Sequence, residues 1–260
     1  SPETWNLDLT ALPQDADAVF PVHYAGLPVN LTEPGWVKRP RVLIEDAAHA
    51  LGAKTPEGPV GNCVNSDMTC FSFHPVKPIT TGEGGMVTTN NEELAERLRR
   101  FRTHGMLKKP EEGAWYYEIA ELGHHYRMTD IQAALGLSQL GKLDGFVASR
   151  NQIAKHYREE LSSLDVQLPK AAPPGYLHGY HLFPVLVENR NEVFAELQRH
   201  GIRVQVHYVP VHHHPISEDI HNLQSRFPIA DQIYSKIISL PIFPSMTFLF
   251  LCEPFLMRNY

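Results

Sequence analysis

One stretch limits the fold more than any other: Phe71-Ser72-Phe73-His74-Pro75-Val76-Lys77-Pro78-Ile79-Thr80-Thr81-Gly82-Glu83-Gly84-Gly85. It sets a single lysine among small hydroxyl residues, just ahead of a glycine-rich turn. Glycine admits close backbone approach to a ligand, and hydroxyl and backbone N–H groups suit phosphate. A lysine that works as a covalent nucleophile spends part of its time neutral, which needs a desolvated or cationic setting. The stretch is equally compatible with a surface lysine before a turn. A second stretch shifts the balance: Arg41-Val42-Leu43-Ile44-Glu45-Asp46-Ala47-Ala48-His49-Ala50-Leu51-Gly52 reads as a short apolar strand ending in two carboxylates. In an open parallel sheet, ligands sit beyond the carboxyl ends of the strands. An aspartate there can face a protonated ring nitrogen, and the chain between Asp46 and Lys77 is long enough for both to converge on one pocket.

The chain has 260 residues, enough to bury a sizeable core in one or two domains. Apolar content of 43% and charged content of 20% describe an ordinary globular protein. A net charge of −6 argues against nucleic acid as the main partner. The basic run from Arg97 to Arg102 reads as a solvated helix face. Cys63, Cys70 and Cys252 form neither a CxxC pair nor a disulfide framework, which fits a reducing cytoplasm. No signal peptide opens the sequence, and no apolar run reaches the roughly 18 residues of a membrane span.

Taken in order, strands are expected at residues 19–24, 42–45, 68–73 and 86–89, with Pro34-Gly35 interrupting any helix between Leu31 and Pro40. Residues 60–67 and 108–113 read as loops. Asn90 with Glu93 predicts a capped helix striped by Leu94, Leu98 and Phe101 and ended by Gly105, and Thr129 with Gln132 predicts a capping box. A companion helix reaches about Leu164. Residues 165–180 read as a Pro/Gly-rich linker. A strand at 181–187 is demoted toward an edge by Pro184. Asn189 with Glu192 predicts a helix ended by Gly201, and 202–208 alternates as a strand. The expected division is 1–150 for a large domain and 151–260 for a small α/β domain. His207, His212, His213 and His214 lack metal-ligand spacing and have no carboxylate nearby in sequence, so no metal is expected.

The runs Glu45–Gly52, Ser66-Asp67-Met68-Thr69, Ser72–Lys77, Thr80–Asn90, Tyr126–Gly136 and Val206–His212 resemble the DegT/DnrJ/StrS-type sugar aminotransferases. These use pyridoxal phosphate on the α/β fold-type I scaffold of aspartate aminotransferase. Within the family, the likeness is strongest to the subgroup that aminates C4 of a sugar nucleotide in the pseudaminic acid pathway. The resemblance implies a large mixed-sheet domain, here lacking an N-terminal portion, and a small C-terminal α/β domain. It implies that Lys77 carries the cofactor and moves protons, Asp46 pairs with the pyridinium nitrogen, His49 sits over the ring or bonds its 3′ oxygen, and Ser72 bonds the phosphate. It implies a homodimer in which a partner copy completes each phosphate site. His125 stands where the family carries an asparagine for that task. Tyr208 and His212 are expected near a UDP-linked 4-keto sugar, and L-glutamate is expected as amino donor. From Phe248 onward the family pattern stops. A truncated, non-catalytic homologue and an aminotransferase for a different 4-keto sugar nucleotide are the alternatives.

Overall fold

The computed structural model describes every residue except 14, 35, 37, 38, 218–226 and 248–260. The unusual tail from Phe248, and Gly35 of the Pro34-Gly35 pair, therefore lie outside the described residues.

The apolar run before Asp46 forms a strand because its alternate side chains find opposite environments. Strand β1 is Ala18–Val19, and β2 is Val42–Asp46. In β2, Leu43 and Glu45 are buried on one face, while Val42, Ile44 and Asp46 are half-buried on the other. The two carboxylates at the strand end thus point to opposite sides of the sheet. A two-strand hairpin follows, β3 (Lys54–Thr55) with β4 (Gly58–Pro59), then β5 (Met68–Ser72) and β6 (Gly85–Thr88). Among the described residues the main sheet has the order β1-β2-β5-β6. β1, β2 and β5 are parallel, and β6 returns antiparallel to β5. Asp46 pairs with Cys70, so the chain leaves β2 and β5 at the same edge of the sheet. The expected strand at 19–24 is shorter: after β1 only Val22 bridges to Asp46, and Tyr24–Gly26 is a 3-10 turn.

Helix α1 is Glu92–Phe101. Its cap is Asn91, whose side chain accepts from Leu94 N–H at 3.1 Å, not the expected Asn90. Asn90 instead donates to the carbonyls of Asn62 and Cys63. The expected loop at 108–113 is the turn of a hairpin between β7 (Met106–Lys108) and β8 (Tyr117–Ile119). Helix α2, Asp130–Leu140, opens with the Thr129–Gln132 capping box in full. Helix α3, Leu143–Glu160, buries Val147, Arg150, Ile153, Ala154 and Tyr157.

The second half is built on β9 (Phe183–Leu186), α4 (Arg190–Arg199), α5 (Pro228–Lys236) and β10 (Ile237–Leu240). β9 and β10 pair antiparallel, with Pro184 opposite Ser239. Their side chains join Ile153, Tyr157, Leu197, Ile202 and Val204 in one apolar cluster. Two local expectations are corrected here. Asn189 precedes α4 in a left-handed conformation without a side-chain cap. Residues 202–208 keep their alternating burial through Val204, but the backbone pairs only where Gln205 meets Ser239. Arg150 is buried, and its Nη1 donates to the carbonyls of Tyr180 (3.0 Å) and Ile242 (2.7 Å). It therefore ties α3 to both ends of the second core. Burial lowers its pKa to about 10.

Candidate active site

Residues 73–84 form a closed loop between β5 and β6 because both ends of the loop are hydrogen-bonded to each other. Phe73 N–H donates to the Gly84 carbonyl at 2.9 Å, and both Thr81 N–H and Thr80 Oγ1 donate to the Phe73 carbonyl. Gly84 has φ +154°, and a Cβ there would lie 2.4 Å from Thr81 Oγ1, so the turn requires glycine. Gln132 of α2 donates to the Glu83 carbonyl at 3.1 Å. Glu83 thus serves the loop through its backbone.

Lys77 lies in this loop, half-buried. Burial lowers its pKa, and the charge of Asp46 partly opposes that shift. Lys77 and Asp46 are therefore electrostatic neighbours, joined by the shared edge of β2 and β5. Asp46 Oδ1 also accepts from Ala48 N–H at 3.0 Å, which steadies the strand end. On the other face, Glu45 is enclosed by His23 Nε2 (2.8 Å), Ser66 Oγ (2.5 Å) and Thr69 Oγ1 (2.7 Å). Glu45 is a buried structural carboxylate. Ser72 ends β5, and its Oγ accepts from His74 N–H at 3.4 Å.

His49 follows the strand end and is buried. Its Nδ1 accepts from Ala25 N–H at 3.3 Å, and its Nε2 lies 3.2 Å from Tyr208 Oη. The approach of residues 25–26 requires glycine: Gly26 has φ +101°, and a Cβ there would lie 2.8 Å from both the His49 carbonyl and Tyr180 N. Burial, the charge of Lys77 and then His207 bring the His49 pKa to about 3. The His181 ring packs 4.4 Å from His49, and burial likewise depresses its pKa. Among the described residues, His181 Nδ1 is buried without a hydrogen-bond partner. His207 Nδ1 lies 2.9 Å from Ser239 Oγ, and burial and Lys77 lower its pKa. Tyr24 Oη donates to the His207 carbonyl at 2.5 Å.

The structure thus gathers Lys77, Asp46, His49 and Tyr208 into one neighbourhood, with Ser72 at the end of the adjoining strand. Tyr24, His181 and His207 join them, and sequence reasoning assigned none of these to the site. The available signal was a histidine opening the apolar run 181–187. Two expected residues stand elsewhere. His125 is exposed, 2.8 Å from Arg127 Nη2. His212 is buried with its Nε2 2.7 Å from Asp231 Oδ1, and His213 Nε2 reaches the same oxygen at 2.7 Å. The carboxylate absent from the local sequence is supplied by α5, and His212, His213 and Asp231 bring one ligand atom each within 4.8 Å of one another, an arrangement that could hold a metal ion although none was expected from the sequence.

The residues present fit pyridoxal phosphate. A lysine of lowered pKa, a carboxylate able to face a ring nitrogen, an imidazole, and a hydroxyl beside a glycine turn make up the required donor set.

Comparison with known proteins agrees. A protein of Methanocaldococcus jannaschii, uncharacterized protein MJ1066, is 41% identical over 263 aligned positions, which cover 94% of this chain and 68% of that one. The UDP-4-amino-4,6-dideoxy-N-acetyl-beta-L-altrosamine transaminase of Campylobacter jejuni is 36% identical, over 90% of this chain and 62% of its own length. The structure of a putative sugar aminotransferase from Streptococcus pneumoniae in its PMP form superposes with a TM-score of 0.85 at 26% identity, covering 95% of this chain and 71% of that one. The same protein is known in a PLP form, and the expected α/β aminotransferase fold is the one observed. The chain spans about two thirds of the length of these relatives. No helix among the described residues is long and apolar enough to cross a membrane. Residues 1–248 match the DegT/DnrJ/EryC1/StrS aminotransferase family, and the chain belongs to it.

Proposed function

We propose that this chain carries the lysine, ring-nitrogen carboxylate and substrate wall of a pyridoxal-phosphate-dependent transaminase. In this reading it transfers the amino group of L-glutamate to C4 of a UDP-linked 4-keto-6-deoxy-N-acetylhexosamine. The observation that carries the reading is the pairing of a half-buried Lys77 of lowered pKa with the charge of Asp46.

When bound, the cofactor supplies the electron sink that makes proton loss next to nitrogen feasible. Lys77 Nζ would be the attachment point and the group that takes up and returns the proton; partial burial lowers its pKa, which favours the neutral amine. Asp46 would hold a proton on the ring nitrogen. His49 would form a wall beside the ring, and Ser72 Oγ with the adjoining turn would bind phosphate. Residues 1–150 form the cofactor half and 151–260 the smaller half. A homodimer completes the phosphate site, with His125 of one copy serving the other. The exposed Trp115, Leu122, Ile131 and Leu137 support such a partner surface. The relative named for a UDP-linked altrosamine supports the choice of sugar. The cytoplasm, where nucleotide sugars are made, is the proposed location.

The test is borohydride reduction of the chain with pyridoxal phosphate, followed by peptide mapping, with Lys77→Ala as control. Label confined to Lys77 is the expected result, followed by turnover of the UDP-4-keto sugar with L-glutamate. No label in a folded sample would identify a non-catalytic homologue. Turnover of a different keto sugar nucleotide would move the assignment within the class.

A further inference from the structure

We propose that Tyr208 Oη donates a hydrogen bond to a neutral oxygen, carbonyl or hydroxyl, of the keto-sugar substrate, and that His49 is the positioning residue that aims it. The inference rests on the sugar-nucleotide reading above for its ligand.

The argument follows the protons. A backbone N–H can only donate, so the Ala25 N–H···Nδ1 bond requires a lone pair on His49 Nδ1. Neutral His49 then carries its one proton on Nε2, which donates to Tyr208 Oη at 3.2 Å. Two other buried histidines use the same device. His23 Nδ1 accepts from Val29 N–H and His178 Nδ1 from Tyr180 N–H. His23 donates its Nε2–H to Glu45, inside the fold. His49 instead donates its Nε2–H to a half-exposed side chain at the site.

Tyr208 has accepted from His49, so its own O–H must point away from that ring. Among the described residues Tyr208 Oη makes no hydrogen bond besides the one to His49. Burial and the charge of Asp46 keep the phenol protonated. Its backbone is fixed on one side by Tyr24 Oη on the His207 carbonyl and by His207 Nδ1 against Ser239 Oγ. The surrounding imidazoles of His49, His181 and His207 all have depressed pKa values. The phenol is a neutral O–H donor set against imidazole rings, which suits a carbonyl or hydroxyl oxygen, whereas a carboxylate is drawn to a charged donor such as Lys77. The ligand assigned to Tyr208 is therefore the sugar and not the amino-acid donor.

The test combines kinetics with imidazole nitrogen NMR. In the ligand-free chain, His49 should show Nε2 protonated and Nδ1 bare, and Tyr208→Phe should retain that tautomer. Tyr208→Phe should raise KM for the UDP-4-keto sugar about tenfold, as expected for one lost hydrogen bond. KM for L-glutamate and the affinity for pyridoxal phosphate should stay within about twofold. His49→Ala should raise the keto-sugar KM by a smaller factor in the Tyr208→Phe background than in the wild-type chain, because the two residues share one hydrogen bond. The opposite tautomer, equal losses for both substrates, or additive effects would each overturn the inference. A wild-type chain that turns over no keto sugar would overturn the sugar reading and the ligand assigned to Tyr208, while the imidazole spectrum would still decide the role of His49.

Discussion

The histidines of residues 207–213 end in two different settings, although six positions separate them. His207 joins His49 and His181 around Lys77, where burial lowers every imidazole pKa. His212 and His213 meet Asp231, and their hydrogen bonds hold that carboxyl below its ordinary pKa. Among the described residues the first group has no carboxylate bonded to its histidines, so desolvation dominates and favours the neutral ring. The second has a carboxylate shared by two N–H donors, which anchors the turn Val211–His213 to α5. The same residue type thus routes hydrogen bonds at a site in one place and fastens chain to chain in the other.

The largest expected effect comes from breaking the first setting at its floor. Gly26→Ala places a Cβ against backbone on two sides in a conformation that disfavours any side chain. The expected loss is about 3 kcal/mol or more, read from the urea midpoint. An unchanged midpoint would mean that the contact between residue 26 and His49 is not rigid.

The two settings also separate by pH. The folded pKa of His49 is depressed, to about 3 from 6.5, so below pH 6.5 the unfolded chain binds the extra proton. Stability is therefore full above pH 6.5 and falls as pH drops from 6.5 toward 3. Between pH 6.5 and 5 each such histidine should cost about 2 kcal/mol. His181 is faced by His49, Lys77, Arg150 and His207, and His181→Asn should flatten this slope. The carboxyl of Asp231 is also depressed, so its contribution is present above its unfolded pKa near 3.8 and is lost only as pH falls below that. Asp231→Ala tests the second setting at neutral pH. It should lower stability by about 1–2 kcal/mol at neutral pH, because buried His212 loses its acceptor. Identical pH profiles for the two variants would erase the distinction.

The legible parts of this molecule are those whose chemistry is local. The convergence of Asp46 and Lys77 was readable because Asp46 ends one short strand and Lys77 lies just beyond another. Thr129 and Gln132 were readable because both halves of a capping box lie three residues apart. Asn90 and Asn91 are the same residue type, and only the observed hydrogen bond to Leu94 chooses between them. The alternation at 202–208 did predict burial through Val204, but pairing depends on where β10 passes, which the segment cannot specify. Asp231 was invisible as the partner of His212 because α5 brings it back across the intervening chain. Tyr24 and His181 were missed for the same reason: their role exists only where distant segments meet.

The smallest predicted effect tests that meeting directly. Tyr24 Oη reaches the His207 carbonyl across 183 positions of sequence, and burial raises the pKa of the phenol so that it stays a donor. Tyr24→Phe removes the hydroxyl and keeps the ring. The expected stability loss is about 1 kcal/mol, the net worth of one hydrogen bond. Because the bond holds the residue before Tyr208, the variant should also weaken binding of the keto sugar proposed for this site while leaving the His212–Asp231 anchor intact. Amide hydrogen exchange would separate the two: faster exchange at Tyr208, with no change at His213 or His214, is the expected pattern. Equal loosening along the whole of residues 207–214 would show instead that the two histidine settings are one cooperative unit.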